Sequence, residues 1–494
     1  LKGDEETFIH PKKKNTLVLS GKEVKIPNSY SYQQFWEMYQ QGGYTLDDMK
    51  TITEIADTLI KDVGRRMKGD FWTPKIWVDK AHDMISEQLG EDWYERYVVW
   101  DCAAGAKNLT RDYYFGNLYS STYHSEELAI SNDYNTNNVA FQYDFLNDDL
   151  GDERGEGENI HDYDVEALRK MSDDDLAGLF KMPVGLIRDM LEKKPIVFFA
   201  NPPYGQATSA MGKKHKPGVS ATAVTDLMQD MGHAKSELYT QFIWRTKELA
   251  KVFGYTSDFH FFFNKTFLTS PNFGKFVDEL TSEFTFRNGF MMNAGEFSGT
   301  SSAWGIVFSH FEIGGTNQRE FTYTVLESNK DMSISALTEW TGRAVKNKDT
   351  IMTWLKEVPI GKENTDFPVT RNGYDAPNGK VHMNPKEGCV GYMLVNGANV
   401  QGSDNHTAMF TMGVQRGHGR DVTKDNLTRA AVTFSIRRAV QEVIAEQKLL
   451  WVRDKDIFTR PPESLLTDEF VADCMVYSLF DRQSNQTSLR NYEY

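Results

Sequence analysis

Asn201-Pro202-Pro203-Tyr204 follow the apolar run Ile196-Val197-Phe198-Phe199. An amide, two prolines and a phenol are unusual company at the end of a buried strand, because neither proline has an N–H to give to a sheet. The chemistry these groups suit is activation of a conjugated nitrogen. The exocyclic amine of adenine is a poor nucleophile because its lone pair is delocalised into the ring, and an amide nitrogen has the same problem. Two acceptors placed on its two N–H bonds favour a tetrahedral nitrogen with a free lone pair. The Asn201 side-chain carbonyl supplies one acceptor. The Pro202 main-chain carbonyl supplies the other, aimed in advance by the fixed φ of proline. Positive charge developing on nitrogen then meets fixed dipoles, so no general base of special pKa is needed. The Tyr204 ring offers a stacking surface to a planar base, which must have left its duplex to reach it.

Such groups need a rigid sheet behind them. YVVW (97–100), NLYSSTY (117–123), VAFQYDFL (139–146), PIVFFA (195–200), FHFFFNKTFL (259–268) and AWGIVFSHFE (303–312) read as strands. Residues 45–63, the stretch after Pro74, and 236–250 read as helices. This alternation implies a mostly parallel, doubly wound α/β sheet of Rossmann type. In open α/β sheets, ligands sit at the carboxyl ends of strands. Asp101 to Gly105 follow the first strand, and a glycine there lets backbone approach a ligand closely. Asp144-Phe145 end the third, where an Asp accepts from an adenine amine and a Phe covers its ring. With Asn201 to Tyr204 they suit a pocket for an adenine nucleoside with a polar tail, facing a second pocket.

These segments resemble the gamma class of N6-adenine DNA methyltransferases. NPPY is similar to their catalytic motif, DCAAG (101–105) to their S-adenosylmethionine motif, and DFL (144–146) to their adenine-binding motif. FWTP (71–74) resembles the motif that closes over the methionine end of the cofactor. FSGTSSAWGIVF (297–308) resembles the late motif whose aromatic residue, here Phe297, stacks on the flipped base. The resemblance covers about residues 45–320 and implies S-adenosylmethionine as cofactor. It carries Phe71, Trp72, Thr73, Pro74, Asp101, Ala103, Gly105, Asn108, Glu126, Asp144, Phe145 and Asn201 to the cofactor. Asn201, Pro202, Pro203 and Tyr204 carry the catalysis, and Tyr204 and Phe297 hold the base. Lys107 stands where the family has a second glycine, and its amine suits the cofactor carboxylate. For the ribose, Thr122 has the usual spacing, with Glu126 and Glu127 slightly later.

The 494 residues exceed one ordinary core. The expected organisation is an N-terminal helical segment (1–70), a methyltransferase catalytic domain (71–330) and a C-terminal α+β target-recognition domain (331–494). The last begins where Gly, Asn and short apolar runs take over. Of the net charge of −15, residues 1–250 hold −12. That excludes loose attachment to nucleic acid through overall positive field. Much of the acid lies in 147–192, read as a solvated insert. Lys213, Lys214 and Lys216 follow NPPY in a loop suited to contact phosphates. Arg416 and Arg420 are candidates for DNA contact in the last domain.

Three scattered cysteines fit neither a disulfide framework nor a zinc site, so no metal is expected and a cytoplasmic setting is. No apolar run reaches about 18 residues, so no membrane span is expected. The start at Leu1 and the stop at NYEY leave room for further sequence at either end. Double-stranded DNA is the expected partner, with a restriction endonuclease or specificity subunit beside it. A non-catalytic DNA-recognition subunit, an RNA adenine methyltransferase and a protein-glutamine methyltransferase are the competing readings. The large C-terminal part disfavours the last.

Overall fold

The computed structural model describes residues 8–9, 16–19, 22–25 and 73–481, apart from 130–134, 136, 152–157, 205–221, 298–301, 330, 332, 362–386, 411–418 and 448. The helix expected at 45–63 lies outside the described residues. Within the segment expected to be helical, the described residues form an antiparallel three-stranded sheet: β1 (Phe8–Ile9), β2 (Thr16–Leu19) and β3 (Lys22–Lys25).

The centre of the molecule is a nine-stranded sheet. Helix α1 (Lys75–Leu89) leads into β4 (Val98–Asp101), β5 (Asn117–Thr122) and β6 (Val139–Gln142). Helix α2 (Val184–Leu191) precedes β7 (Ile196–Ala200), and α3 (Leu238–Phe253) precedes β8 (Ser257–Asn264). Next come α4 (Gly274–Glu283), β9 (Phe284–Asn293), β10 (Gly305–Ile313), β11 (Glu320–Ser328) and β12 (Ile334–Arg343). The strand order is β12-β11-β9-β10-β8-β7-β4-β5-β6. β6, β5, β4, β7 and β8 run parallel, as expected of a doubly wound sheet. β10 is antiparallel to both β8 and β9, so the far side is mixed. From β4 the chain moves outward through β5 and β6, then returns to place β7 on the other side of β4. The order therefore reverses between β4 and β7, the crevice where such sheets hold ligands.

The central strands are apolar on both faces because both faces are covered. In β7, Ile196, Phe198 and Ala200 join the core under α2, α3 and α4. Val197 and Phe199 point the other way, into the layer sealed by Trp77, Val78, Ala81 and Ile85 of α1. The acidic stretch 147–192 is not a merely solvated insert. Leu168, Leu176, Leu186, Ile187 and Met190 are fully buried in the same core. Its carboxylates act at helix starts: Asp164 accepts from two backbone N–H groups, and Ser172 with Asp175 forms a capping box.

The expected domain boundary at 330 falls inside the β11–β12 hairpin, and β12 continues the sheet to Arg343. The α+β unit follows it: α5 (Ile351–Lys356), β13 (Cys389–Val395), β14 (Thr407–Phe410), β15 (Gly419–Thr423), α6 (Leu427–Glu446) and α7 (Asp468–Phe480). The buried Lys265 after β8 ties it to the sheet through Val452 O and, at 3.0 Å, Asp456. Trp340 of β12 donates to the same carboxylate at 3.1 Å. No helix among the described residues is long and apolar enough to cross a membrane.

Candidate active site

The carboxyl ends of β4 and β7 lie side by side, with Val98 opposite Ile196 and Trp100 opposite Phe198. Beyond them stand Asp101 and Asn201. Asn201 is half-buried, and both ends of its carboxamide are held. Its Nδ2 donates to Thr73 Oγ1 at 3.0 Å, and its Oδ1 accepts from the Tyr204 hydroxyl at 2.7 Å. Thr73 comes from a segment 128 positions earlier in the chain. Pro202 is buried, and Pro203 and Tyr204 are half-buried. Burial raises the Tyr204 phenol well above its ordinary pKa, so it stays a donor.

Thr73 and Pro74 open α1, with Pro74 in extended backbone at its N-cap. The helix is fixed by Trp77, which stacks on Phe290 at 5.8 Å. His82 holds the turn after β4 against α1: Nε2 lies 2.8 Å from Leu109 O, and the ring stacks on Tyr113 at 3.6 Å.

Asp101 is fully buried. Its Oδ1 accepts from Ala103 N at 3.3 Å, while Oδ2 has no hydrogen-bond partner. Burial pushes its carboxyl up to about 8. Ala103, Gly105 and Asn108 are half-exposed along the turn, and Asn108 Oδ1 is also buried without a partner. Gly105 has φ 48, with open space where a Cβ would stand. Lys107, in the place of the expected glycine, adopts φ 58. A left-handed residue other than glycine costs roughly 1–2 kcal/mol, so the loop keeps a glycine-like path with a lysine in it.

At the end of β5, the buried Glu127 accepts from Thr122 Oγ1. Of the two acids expected near this strand end, Glu127 is the one whose side chain is described there. At the end of β6, Asp144 is half-buried and accepts from Leu146 N at 3.1 Å and Asn147 Nδ2 at 2.7 Å. Burial raises its pKa. Phe145 departs from expectation. It is 2% exposed, stacked on Phe242 at 5.1 Å and edge-on to Trp100 at 5.2 Å. The ring anchors the Asp144 turn to the core and is not an open cover for a base.

Phe297 departs likewise. It is fully buried in the core layer with Trp77, Phe290 and Phe308, so it is a packing residue and not a free stacking surface. The aromatic that faces Tyr204 is Trp304, at the start of β10. It is half-exposed, with ring centroids 6.0 Å and planes 72° apart. It lies in the same FSGTSSAWGIVF segment and was the second aromatic there. The C-terminal unit reaches this corner too, where Gln401 donates to Ala303 O at 2.7 Å.

Phe71, Trp72, Lys213, Lys214, Lys216 and Arg416 lie outside the described residues, and nothing is described of the Glu126 side chain. Arg420 donates to the Lys356 and Val358 carbonyls, which gives it a structural bond within its own unit. A separate cavity of about 450 Å³ lies where Pro271 and Asn272 face Asn347, Lys356 and Asn399; no NPPY residue lines it. No cluster of His, Cys, Asp or Glu among the described residues is arranged to hold a metal ion.

No protein-family model matches the sequence, and no curated protein matches it. Among solved structures, the chain is similar to the DrdV–DNA complex, with 14% identity and a TM-score of 0.37 over 56% of this chain and 30% of that one. It is similar to a type I restriction-modification system methyltransferase subunit from Streptococcus thermophilus, at 12% identity and TM-score 0.32, covering 59% and 55% of the two chains. It is also similar to the type IIG restriction endonuclease BpuSI, at 11% identity and TM-score 0.35, covering 88% and 53%. The chain thus spans between 30% and 55% of the length of these proteins.

Proposed function

We propose that the chain transfers a methyl group from S-adenosylmethionine to the N6 amine of an adenine extruded from DNA, at a specific sequence. It acts alone or with a restriction endonuclease or specificity subunit. The observation that carries this reading is the Asn201 carboxamide, held at both ends beside the β4–β7 crevice. The crevice suits the cofactor. A buried, unpartnered Asp101 oxygen calls for a donor or cation, and the open space at Gly105 admits a ligand against backbone. Asp101, Gly105, Asn108, Glu127 and Asp144 are the residues that would hold it. When bound, it would supply an electrophilic methyl group.

The chain's own residues do the rest. The Asn201 side-chain oxygen and the Pro202 main-chain oxygen accept the two N–H bonds of the amine and free its lone pair. Tyr204 and Trp304 offer rings against which the extruded base is held. The proton released after alkylation passes to water, since neither carbonyl takes it. Reading of the surrounding bases is assigned to residues beyond the sheet, in the unit after Arg343.

Single-molecule sequencing of DNA from a host expressing the protein tests this reading. Methylated adenines within one short motif, lost with Asn201→Ala, are the expected result. Unmodified DNA, or a modification elsewhere than adenine N6, would overturn it.

A further inference from the structure

The segment 71–74 is expected to close over the cofactor, yet its threonine touches the catalytic amide. We propose that Thr73 is a positioning residue that sets which end of the Asn201 carboxamide faces the target nitrogen. The inference rests on the function proposed above and adds to it a residue whose bond is on the amide, not the cofactor.

A carboxamide has one accepting end and one donating end, and the reaction needs the accepting end toward the amine. An Asn at a strand end has two nearly isosteric orientations about its last torsion. Only one presents oxygen. In this structure Nδ2 is bonded to Thr73 Oγ1 at 3.0 Å, and Oδ1 looks away toward the Tyr204 hydroxyl. Thr73 is 5% exposed, so water does not readily replace it. Both partners stand on rigid elements. Thr73 is tied to α1, whose Trp77, Val78 and Ile85 are buried. Asn201 follows Phe199, which lies in the same layer. The bond therefore joins two parts of one packed layer, the arrangement that holds a reacting group within a fraction of an ångström. The Tyr204 bond cannot do this job during catalysis, because the incoming amine needs the same oxygen. The Thr73 bond lies on the other end of the amide and does not compete with the amine.

The test compares wild type with Thr73→Val, which is isosteric without the hydroxyl, and Thr73→Ser, which restores it. Three quantities are read: S-adenosylmethionine affinity by calorimetry, kcat at saturating cofactor and DNA, and solvent exchange of the Asn201 side-chain amide by NMR on 15N-asparagine-labelled protein. The resonance is assigned by its loss in Asn201→Ala. For Thr73→Val we expect kcat to fall about 10–100-fold, cofactor affinity to stay within about twofold, and amide exchange to quicken. Thr73→Ser should recover both. Wild-type kcat and exchange in Thr73→Val would overturn the proposal. So would weakened cofactor binding with unchanged kcat at saturation, which would make Thr73 a cofactor ligand only. If wild type transfers no methyl group to DNA, the function reading fails alone, and the amide exchange still decides whether Thr73 holds Asn201.

Discussion

The Tyr204 hydroxyl donates at 2.7 Å to the side-chain oxygen of Asn201, the atom to which the proposed function assigns the incoming amine. The phenol stands in for the substrate's N–H, so binding exchanges one hydrogen bond for another. Tyr204→Phe keeps the ring and removes the stand-in. It should hold transfer within a few-fold of wild type. Tyr204→Ala loses the ring as well, worth about 1–3 kcal/mol of stacking per base. With 2-aminopurine at the target position, fluorescence on binding should rise as in wild type for Tyr204→Phe and much less for Tyr204→Ala. Equal rises in both variants would show that Tyr204 is not the stacking surface.

Trp304 and Phe297 lie in the one segment expected to supply the base-stacking aromatic, and they differ in exposure. Trp304 is half-exposed beside Tyr204, whereas Phe297 is fully buried. Trp304→Ala should reduce transfer about tenfold or more, from the lost stacking, with little change in unfolding temperature. Phe297→Ala should destabilise the fold by about 3–5 kcal/mol. Urea unfolding and a tritium-transfer assay on both variants check this. The reverse pattern would return the base-holding role to Phe297.

Asp101 predicts a reciprocal effect on stability and binding. Its carboxyl ionises near 3.8 when exposed and is pushed up to about 8 by burial in the fold. A carboxyl whose folded pKa is raised holds its proton longer in the native state. Its contribution is therefore fully present below about 3.8 and is lost as pH rises toward 8. Asp101→Asn removes that loss. The apo variant should match wild type near pH 4 and exceed it by about 1–3 kcal/mol above pH 8. A cationic cofactor gains from the carboxylate, so the same variant should bind S-adenosylmethionine about tenfold more weakly. Calorimetry at pH 8 reads this directly, and unchanged affinity would remove Asp101 from the site.

The sheet was legible where strands are apolar throughout. Ile196 to Ala200 is covered on both faces, and the run announces it. β9 was not legible, because Arg287-Asn288-Gly289 interrupt its apolar residues and its pairing with β10 carries a bulge. The acidic stretch misled for a related reason. Its carboxylates are conspicuous, while Leu168, Leu176 and Leu186 that seat it are dispersed among them. At the site, residue types at strand ends could be read, since a strand end has one location. Burial of Phe145 and Phe297 could not, because only tertiary packing decides which aromatic of a turn faces inward. The bond from Thr73 to Asn201 links segments that no local pattern connects.

Histidines whose charged form the fold disfavours should make the protein sensitive to mild acid. His82 is held down to about 4, chiefly because burial disfavours its charged form. His161 is also lowered to about 4, by burial and then by Arg245, whose Nη1 lies 3.3 Å from its Nε2. His260 is lowered well below its ordinary value by burial and by His310. Those two rings stack 4.2 Å apart on β8 and β10, and neither ring nitrogen of His260 has a hydrogen-bond partner. Exposed histidines titrate near 6.5. Between that pH and about 4, the unfolded chain binds protons that the fold refuses. Stability is therefore fully present above about 6.5 and falls as pH drops. Three such groups give a limiting slope of about 4 kcal/mol per pH unit. Asp101 acts in the opposite direction from about 3.8 to 8, so it offsets about one proton's share of that slope below 6.5 and lowers stability above it. Urea unfolding at half-unit steps from pH 7.5 to 4.5 measures the slope. His260→Gln should flatten it by about one proton's share, 1.4 kcal/mol per pH unit. A slope unchanged by that substitution would mean that His260 takes up its proton without cost to the fold.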